Sequence, residues 1–262
     1  MLQNQVQKRL EVVTTFSPAG YKLYGERFID TFLEFWPESV LLTVYVDEYP
    51  LKYHPNKNQG RLRFKSMPDE LENFKTDNQN NLDAHGMASG QYSMRRDAVK
   101  FAHKSYVMCD ASRKTRADTL IWLDADTVTH AKVEFNWLSG ILAENNFLAW
   151  LNRDNNYPEC GILFFNRHSF FYEQYFRKVR QLYSTGEIFE LPQTHDSWVW
   201  QYVADKMDIK PLNLSGSFSS VNHPFIHVFG HVMDHLKGEQ RKIDGRSFQN
   251  DLKINRKEKY WE

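Results

Sequence analysis

Residues 119 to 130 read TLIWLDADTVTH, and the reading of this stretch decides the fold. Thr119 to Leu123 is an apolar run of strand length, and two carboxylates follow it at once, Asp124 and Asp126, with only Ala125 between them. Open α/β sheets bind ligands beyond the carboxyl ends of their strands, so both aspartates project where a ligand sits. Two carboxylates so close repel unless a cation or hydrogen bonds neutralise them. A hard divalent ion does this, and Mg²⁺ commonly keeps one or two protein carboxylates. The plainer alternative is that one aspartate caps the next turn while the other is solvated. A cap, however, does not require a pair.

Working outward, Leu10 to Thr15 predicts a short buried strand, followed by the turn-prone Phe16-Ser17-Pro18-Ala19-Gly20. Tyr21 to Phe35 predicts a helix with Leu23, Tyr24, Phe28, Phe32 and Phe35 inward, stopped by Pro37. Val40 to Val46 predicts a strand apolar on both faces, which completes a βαβ unit in a sheet covered on both sides. Residues 50 to 90 are polar and weakly periodic, and read as an insertion or active-site loop with a short helix near Asp69 to Phe74. Ser93 to Met108 predicts a helix with Met94, Ala98, Phe101, Ala102 and Tyr106 buried. Strands through Phe147 to Leu151 and Gly161 to Phe165 follow, then helices at Ser169 to Tyr183 and Ser197 to Lys206. His223, His227, His231 and His235 recur every fourth residue, and on a helix i,i+4 histidines can share one metal. Pro224 and Gly230 argue against a continuous helix there.

Composition bounds the rest. With 262 residues, 41% of them hydrophobic, the chain can bury a large core, and nothing in it marks a linker or repeat. Lys plus Arg and Asp plus Glu are 33 each, which argues against a nucleic-acid coat. Cys109 and Cys160 stand alone, so there is no disulfide framework or zinc ribbon, and a reducing, cytoplasmic setting is expected. No stretch approaches the roughly 20 apolar residues of a membrane span.

LIWLDADTVTH resembles the DxD motif of GT-A-fold glycosyltransferases. Glu159 to Asn166, ECGILFFN, resembles the NAGVLLIN-type strand of the glycogenin and bacterial lipopolysaccharide galactosyltransferase group. Thr194-His195-Asp196-Ser197 is similar to the His-Asp-Glu stretch of blood-group-type transferases. The order of these motifs agrees with that fold over roughly residues 10 to 240. The resemblance implies an α/β fold, GT-A-like, with a mixed, mostly parallel sheet flanked by helices in a single domain, 1–262. Its nucleotide-sugar-binding part spans about 10–130 and its acceptor-side part about 131–240. It implies a metal-dependent glycosyltransferase that moves a sugar from a nucleotide-sugar donor, a UDP-sugar, to the hydroxyl of a glycan or other acceptor, with Mn²⁺ or Mg²⁺.

By the same resemblance, Asp126 is the direct metal ligand, and Asp124 reaches the metal or the donor's ribose. Donor-base contacts fall on Thr14 to Phe16, Thr15 and Phe16 foremost, and on Asp47, with Tyr21 as a stacking partner. An ordinary strand-to-helix turn accounts for Thr15 to Pro18 equally well. A C-terminal His completes the family's metal site, and a Lys six residues on holds the phosphate. His231 and Lys237 keep that spacing, but Asp234 stands where the family has glycine and the Pro-Trp tail is absent, so His235 competes with His231. Arg96, Lys100 and Lys104 are spaced by four on one helix face. Arg95, Lys100 and Lys104 are candidate diphosphate contacts, against the alternative of a solvated face. Asp196 is the candidate at the reaction centre, deprotonating the acceptor or orienting the reacting sugars, with a helix cap as its alternative. Glu159 is the second catalytic candidate.

A haloacid-dehalogenase-type phosphatase also starts from a strand followed by DxD, with Asp124 as nucleophile and Asp126 as acid/base. That motif opens its domain, whereas here two strands and over a hundred residues precede it.

Overall fold

A computed structural model describes residues 8–47, 60–142 and 145–262. Strand β1 (Leu10–Phe16) leads into a short helix α1 (Pro18–Gly20), a π-helical turn over Tyr21–Gly25, and α2 (Glu26–Phe35). Ser17 caps this run by accepting from the Gly20 N–H at 3.1 Å, and Pro18 takes the first helical position, where its missing donor costs nothing. The extra residue of the π turn rotates the helical face, so Leu23 is exposed while Phe28, Ile29, Phe32 and Leu33 are buried. Trp36, extended because Pro37 follows it, stacks on Phe32 at 4.7 Å and ends the helix.

Strand β2 (Val40–Val46) runs parallel to β1, as the covered βαβ unit requires. The stretch expected as a loop divides. Residues 50 to 59 lie outside the described residues, but β3 (Leu62–Ser66) is a parallel strand beside β2, and α3 (Asp69–Asp77) follows. This part is scaffold, because its backbone groups are committed to the sheet and a helix. Helix α4 (Ala98–Lys114) starts later than expected, capped by Asp97. Met94 precedes it in a 3₁₀ turn and is exposed, while Ala98, Ala102 and Tyr106 are buried.

Next come β4 (Thr119–Leu123), β5 (Thr127–Thr129), α5 (Phe135–Gly140), β6 (Leu148–Arg153) and the long β7 (Asn156–Asn166). Helix α6 (Tyr172–Ser184), α7 (Asp196–Lys206), β8 (Leu212–Asn213), α8 (Pro224–Val228), β9 (Met233–His235) and α9 (Glu239–Asp244) complete the order. The histidine-rich segment is therefore no continuous helix. A Cβ at Gly230 would stand 2.0 Å from the Ile226 carbonyl oxygen, and beyond it the chain pairs as β9 with β5.

The main sheet has the order β3-β2-β1-β4-β7-β6-β8, with β7 antiparallel to both its neighbours and the other pairs parallel. Alternation along each central strand feeds two cores. Val13, Leu120, Trp122, Leu163 and Phe165 meet Tyr106, Tyr175, Phe176 and Trp200 on one face. Val12, Ile121, Leu123, Ile162 and Phe164 meet Phe28, Phe32, Phe225, Phe229 and Trp261 on the other. Among the described residues no helix is long and apolar enough to cross a membrane.

The carboxyl ends of β1, β2 and β4 share one edge, and β7 enters there from the opposite direction, with Ile162 beside Leu123. The C-terminal tail is clamped against the small β5–β9 sheet. Buried Asp234 accepts from the Ser247 N–H at 2.6 Å and the Tyr260 hydroxyl at 2.7 Å, Tyr260 stacks on His130 at 3.9 Å, and the Trp261 indole donates to the Gly230 carbonyl at 2.7 Å. Tyr260→Phe removes one donor from a buried carboxylate. It should lower the unfolding free energy by about 1–3 kcal/mol in urea titration, and an unchanged midpoint would show that the tail does not brace β9.

Candidate functional site

The aspartates leave β4 at the shared edge, and short backbone bonds fix both. The Asp124 N–H donates to Gly161 O at 2.8 Å, and the Leu236 N–H to Asp126 O at 2.8 Å. The second bond extends the β5–β9 pairing and brings His235 onto the carboxylates. Its Nε2 lies 3.2 Å from Asp126 Oδ1 and 3.6 Å from Asp124 Oδ2. Ligand atoms of Asp124, Asp126 and His235 all lie within 4.8 Å of one another.

The imidazole is held from behind. His235 Nδ1 is 3.1 Å from Glu159 Oε1, and Glu159 is also met by His223 Nδ1 at 2.8 Å and Lys237 Nζ at 2.8 Å. Burial would raise the Glu159 pKa, but His223, His235 and Lys237 outweigh it and hold the carboxyl well below its usual range. Burial likewise works against a charged His235, yet Asp126, Glu159 and Asp124 carry its pKa up to about 10. The ring needs room, and Gly161 supplies it, since a Cβ there would stand 2.7 Å from His235 Cε1 and Nδ1. Asp126 is also paired with Lys242, at 2.8 Å, whose ammonium lies over the Tyr24 ring. Despite burial, His235 and Lys242 keep the Asp126 carboxyl strongly ionised.

A second cluster centres on Lys104. Its buried ammonium lies 2.9 Å from Asp196 Oδ2 and 3.3 Å from Asp124 Oδ1, and donates to Cys160 O at 2.5 Å. Burial opposes its charge, but Asp124 and Asp196 outweigh burial and raise its pKa. The Trp122 indole, two residues before Asp124 and on the same strand face, donates to Asp124 Oδ1 at 2.5 Å. Asp196 opens α7 without being its cap. That position belongs to His195, whose Nδ1 accepts from the Trp198 N–H at 3.4 Å. Burial is again overruled at Asp196, which Lys104 keeps more acidic than usual.

The structure thus brings together Asp124, Asp126, His235, Glu159, Lys237, Lys104 and Asp196. It does not bring His231 to them, because that residue is exposed beyond Gly230 and packs edge-on against Trp137 at 5.2 Å. His227 is structural: its Nδ1 donates to His223 O and its Nε2 accepts from the Lys253 N–H. Glu159, expected as a catalytic candidate, is buried and spent on its basic neighbours. Of the basic helix face only Lys104 arrives. Lys100 is exposed over the Phe101 ring, Arg96 ties to Leu191 O and Asp83, and Arg95 is exposed, with its carbonyl accepting from the Thr194 N–H. At the ends of β1 and β2, Thr15 Oγ1 donates to Tyr45 O, Phe16 is buried with its ring 5.5 Å from that of Tyr21, and Asp47 stands 4.0 Å from His103 Nε2. Lys242 and Trp122 carry no expected site role in the sequence, and Tyr24 reads there only as an inward-facing helix residue; Trp122, two residues before Asp124, is the one with a signal.

Against known proteins, the apo structure of the bifunctional glycosyltransferase WbbM superposes over 90% of this chain with a TM-score of 0.50 and 15% identity, and the chain spans 47% of that protein's length. The fold is GT-A-like. The apo glycosyltransferase GlyE of Streptococcus pneumoniae TIGR4 scores 0.45 at 13% identity, over 90% of this chain and 51% of its own. Mouse xyloside xylosyltransferase 1 scores 0.44 at 11% identity, over 79% of this chain and 86% of its own. No family model matches the chain, and no curated protein matches it in sequence.

Gly161→Ala should push the His235 ring aside at a stability cost of about 1–3 kcal/mol, as overpacking does. Calorimetric titration with Mn²⁺ should show affinity at least ~10-fold weaker, as loss of a ligand's geometry brings. Unchanged affinity would remove His235 from any metal set.

Proposed function

We propose that this chain is a metal-dependent glycosyltransferase that transfers a sugar from a nucleotide-sugar, a UDP-sugar, to an acceptor hydroxyl. The observation that carries this reading is the convergence of Asp124, Asp126 and His235 at the carboxyl end of the central strand of a GT-A-like sheet. Two hard carboxylates and one imidazole, which would give up its Nε2 proton to make room for the ion, suit Mn²⁺ or Mg²⁺. Such an ion, when bound, supplies Lewis-acid neutralisation of the donor's diphosphate and of the leaving group.

The remaining work falls to the chain's own side chains. Lys242 and Lys237 flank the carboxylates and add positive charge where a diphosphate would lie. Glu159 positions His235 from behind, and Gly161 lets the ring approach. The ends of β1 and β2, with Thr15, Phe16, Tyr21 and Asp47, are the proposed base and ribose contacts, within the part about 10–130. The acceptor enters beside α7, in the part about 131–240.

Asp196 is shared through Lys104 with Asp124, so it sits beside the donor's reacting end. Lys104 makes Asp196 more acidic than an ordinary carboxyl, and a depressed pKa makes a poor proton acceptor near neutrality. Asp196 therefore orients sugar hydroxyls rather than taking a proton. A phosphatase using Asp124 as nucleophile is not favoured, since Trp122 and Lys104 both bind Asp124 Oδ1.

Asp126→Asn should abolish Mn²⁺-dependent binding of UDP in calorimetry while the melting curve stays cooperative. Retained binding would sink the metal role, and turnover of a generic phosphoester by the wild type would favour the phosphatase. Asp196→Asn should lower transfer by ~10²-fold, as loss of a positioning contact does, with donor affinity little changed. Wild-type turnover would show that Asp196 only supports Lys104, and joint loss of donor binding would place it at the nucleotide.

A further inference from the structure

At the opposite edge of the sheet, where β4 begins beside the end of β7, a cavity of about 510 Å³ opens between α4 and α6. Four guanidinium groups line it, from Arg113, Arg167, Arg177 and Arg180. Arg180 is held by Glu70 through two bonds of 2.7 Å, and Arg113 shares Glu70 at 3.3 Å and reaches Asp110 at 3.4 Å. Arg167 and Arg177 are exposed and form no ion pair among the described residues. Glu173 is the one carboxylate among the lining residues. With Lys114 on Asp110, five cations stand around three carboxylates, Glu70, Asp110 and Glu173.

The floor is of another character. Phe176 and Cys109 are buried, and the Tyr172 hydroxyl is spent on Ser112 O at 3.3 Å, so the floor is apolar and aromatic. A volume of this size is that of a small-molecule site. Arginine forks match phosphate oxygens two at a time, which a solvated lysine face does not.

We infer that this cavity is a second anion site, taking a phosphate-bearing ligand with two or more negative charges and an apolar group against Tyr172 and Phe176. The five residues of β4 separate its edge from Asp124 by roughly 17 Å at strand rise, so the ligand anchors or regulates and does not share the reacting atoms. A free phosphate ester and a lipid headgroup present the same chemistry.

The test uses inorganic pyrophosphate in excess chelator, which removes any metal-dependent diphosphate binding, and sedimentation with vesicles of phosphatidylcholine alone or with phosphatidylinositol bisphosphate. Wild type and Asp126→Asn should bind pyrophosphate alike by calorimetry, or be retained alike only on the vesicles that contain phosphatidylinositol bisphosphate. Arg167→Gln with Arg177→Gln should weaken that binding by ~10-fold or more per guanidinium, at an unchanged melting temperature, since both side chains are exposed. Pyrophosphate binding without vesicle retention assigns a free phosphate, and retention assigns a headgroup. Failure of the wild type to bind either probe, or equal binding by the double variant, overturns the site.

Discussion

Everything around β4 answers one electrostatic problem. Two carboxylates whose ligand atoms lie within 4.8 Å of a common imidazole leave a buried strand side by side. At such a separation two like charges cost about 3 kcal/mol at an intermediate dielectric. The chain meets that cost with three cations from three different elements: Lys104 from α4, His235 from β9 and Lys242 from α9. None of the three is near the aspartates in sequence, so the fold itself must deliver them. Because each is held by hydrogen bonds as well as charge, their placement is geometric and not merely attractive.

Delivery from the C-terminal side is the more demanding part. His235 arrives only because β9 pairs with β5, and β9 is kept there by Asp234, which points away from the site toward Ser247 and Tyr260. Adjacent residues of one short strand thus serve opposite ends of the same task. His235 faces the carboxylates, and Asp234 anchors the tail. His227 does a similar job in the preceding helix, joining α8 to Lys253. The tail beyond residue 245 is therefore part of the site's support, although it contributes none of the converging side chains.

The fold was legible where the chain is apolar on both faces. β1, β2, β4 and the core of β7 could be read because each had to be covered on two sides, and the paired aspartates stood out against such a strand. Leu62 to Ser66 was missed although it alternates apolar and polar, the ordinary pattern of an edge strand, because its polar surroundings read as a loop. The histidine spacing of four was real but pointed to a helix that ends at Val228, beyond which the chain turns into β9. In the strand that replaces the helix, His235 and not His231 meets Asp126. Lys242 could not be found at all from its neighbours in sequence, because its role exists only once α9 folds back onto the end of β4.

Lys104 adds a constraint that links the two ends of the site. One buried ammonium satisfies Asp124 and Asp196 together, so neither carboxylate can move without leaving that charge underpaired at high cost. A rotation of α7 that shifted Asp196 would pull on Asp124 through Lys104, and Asp124 is further pinned by Trp122. Helix α7 and strand β4 are therefore set in register by one shared ammonium, not by separate contacts.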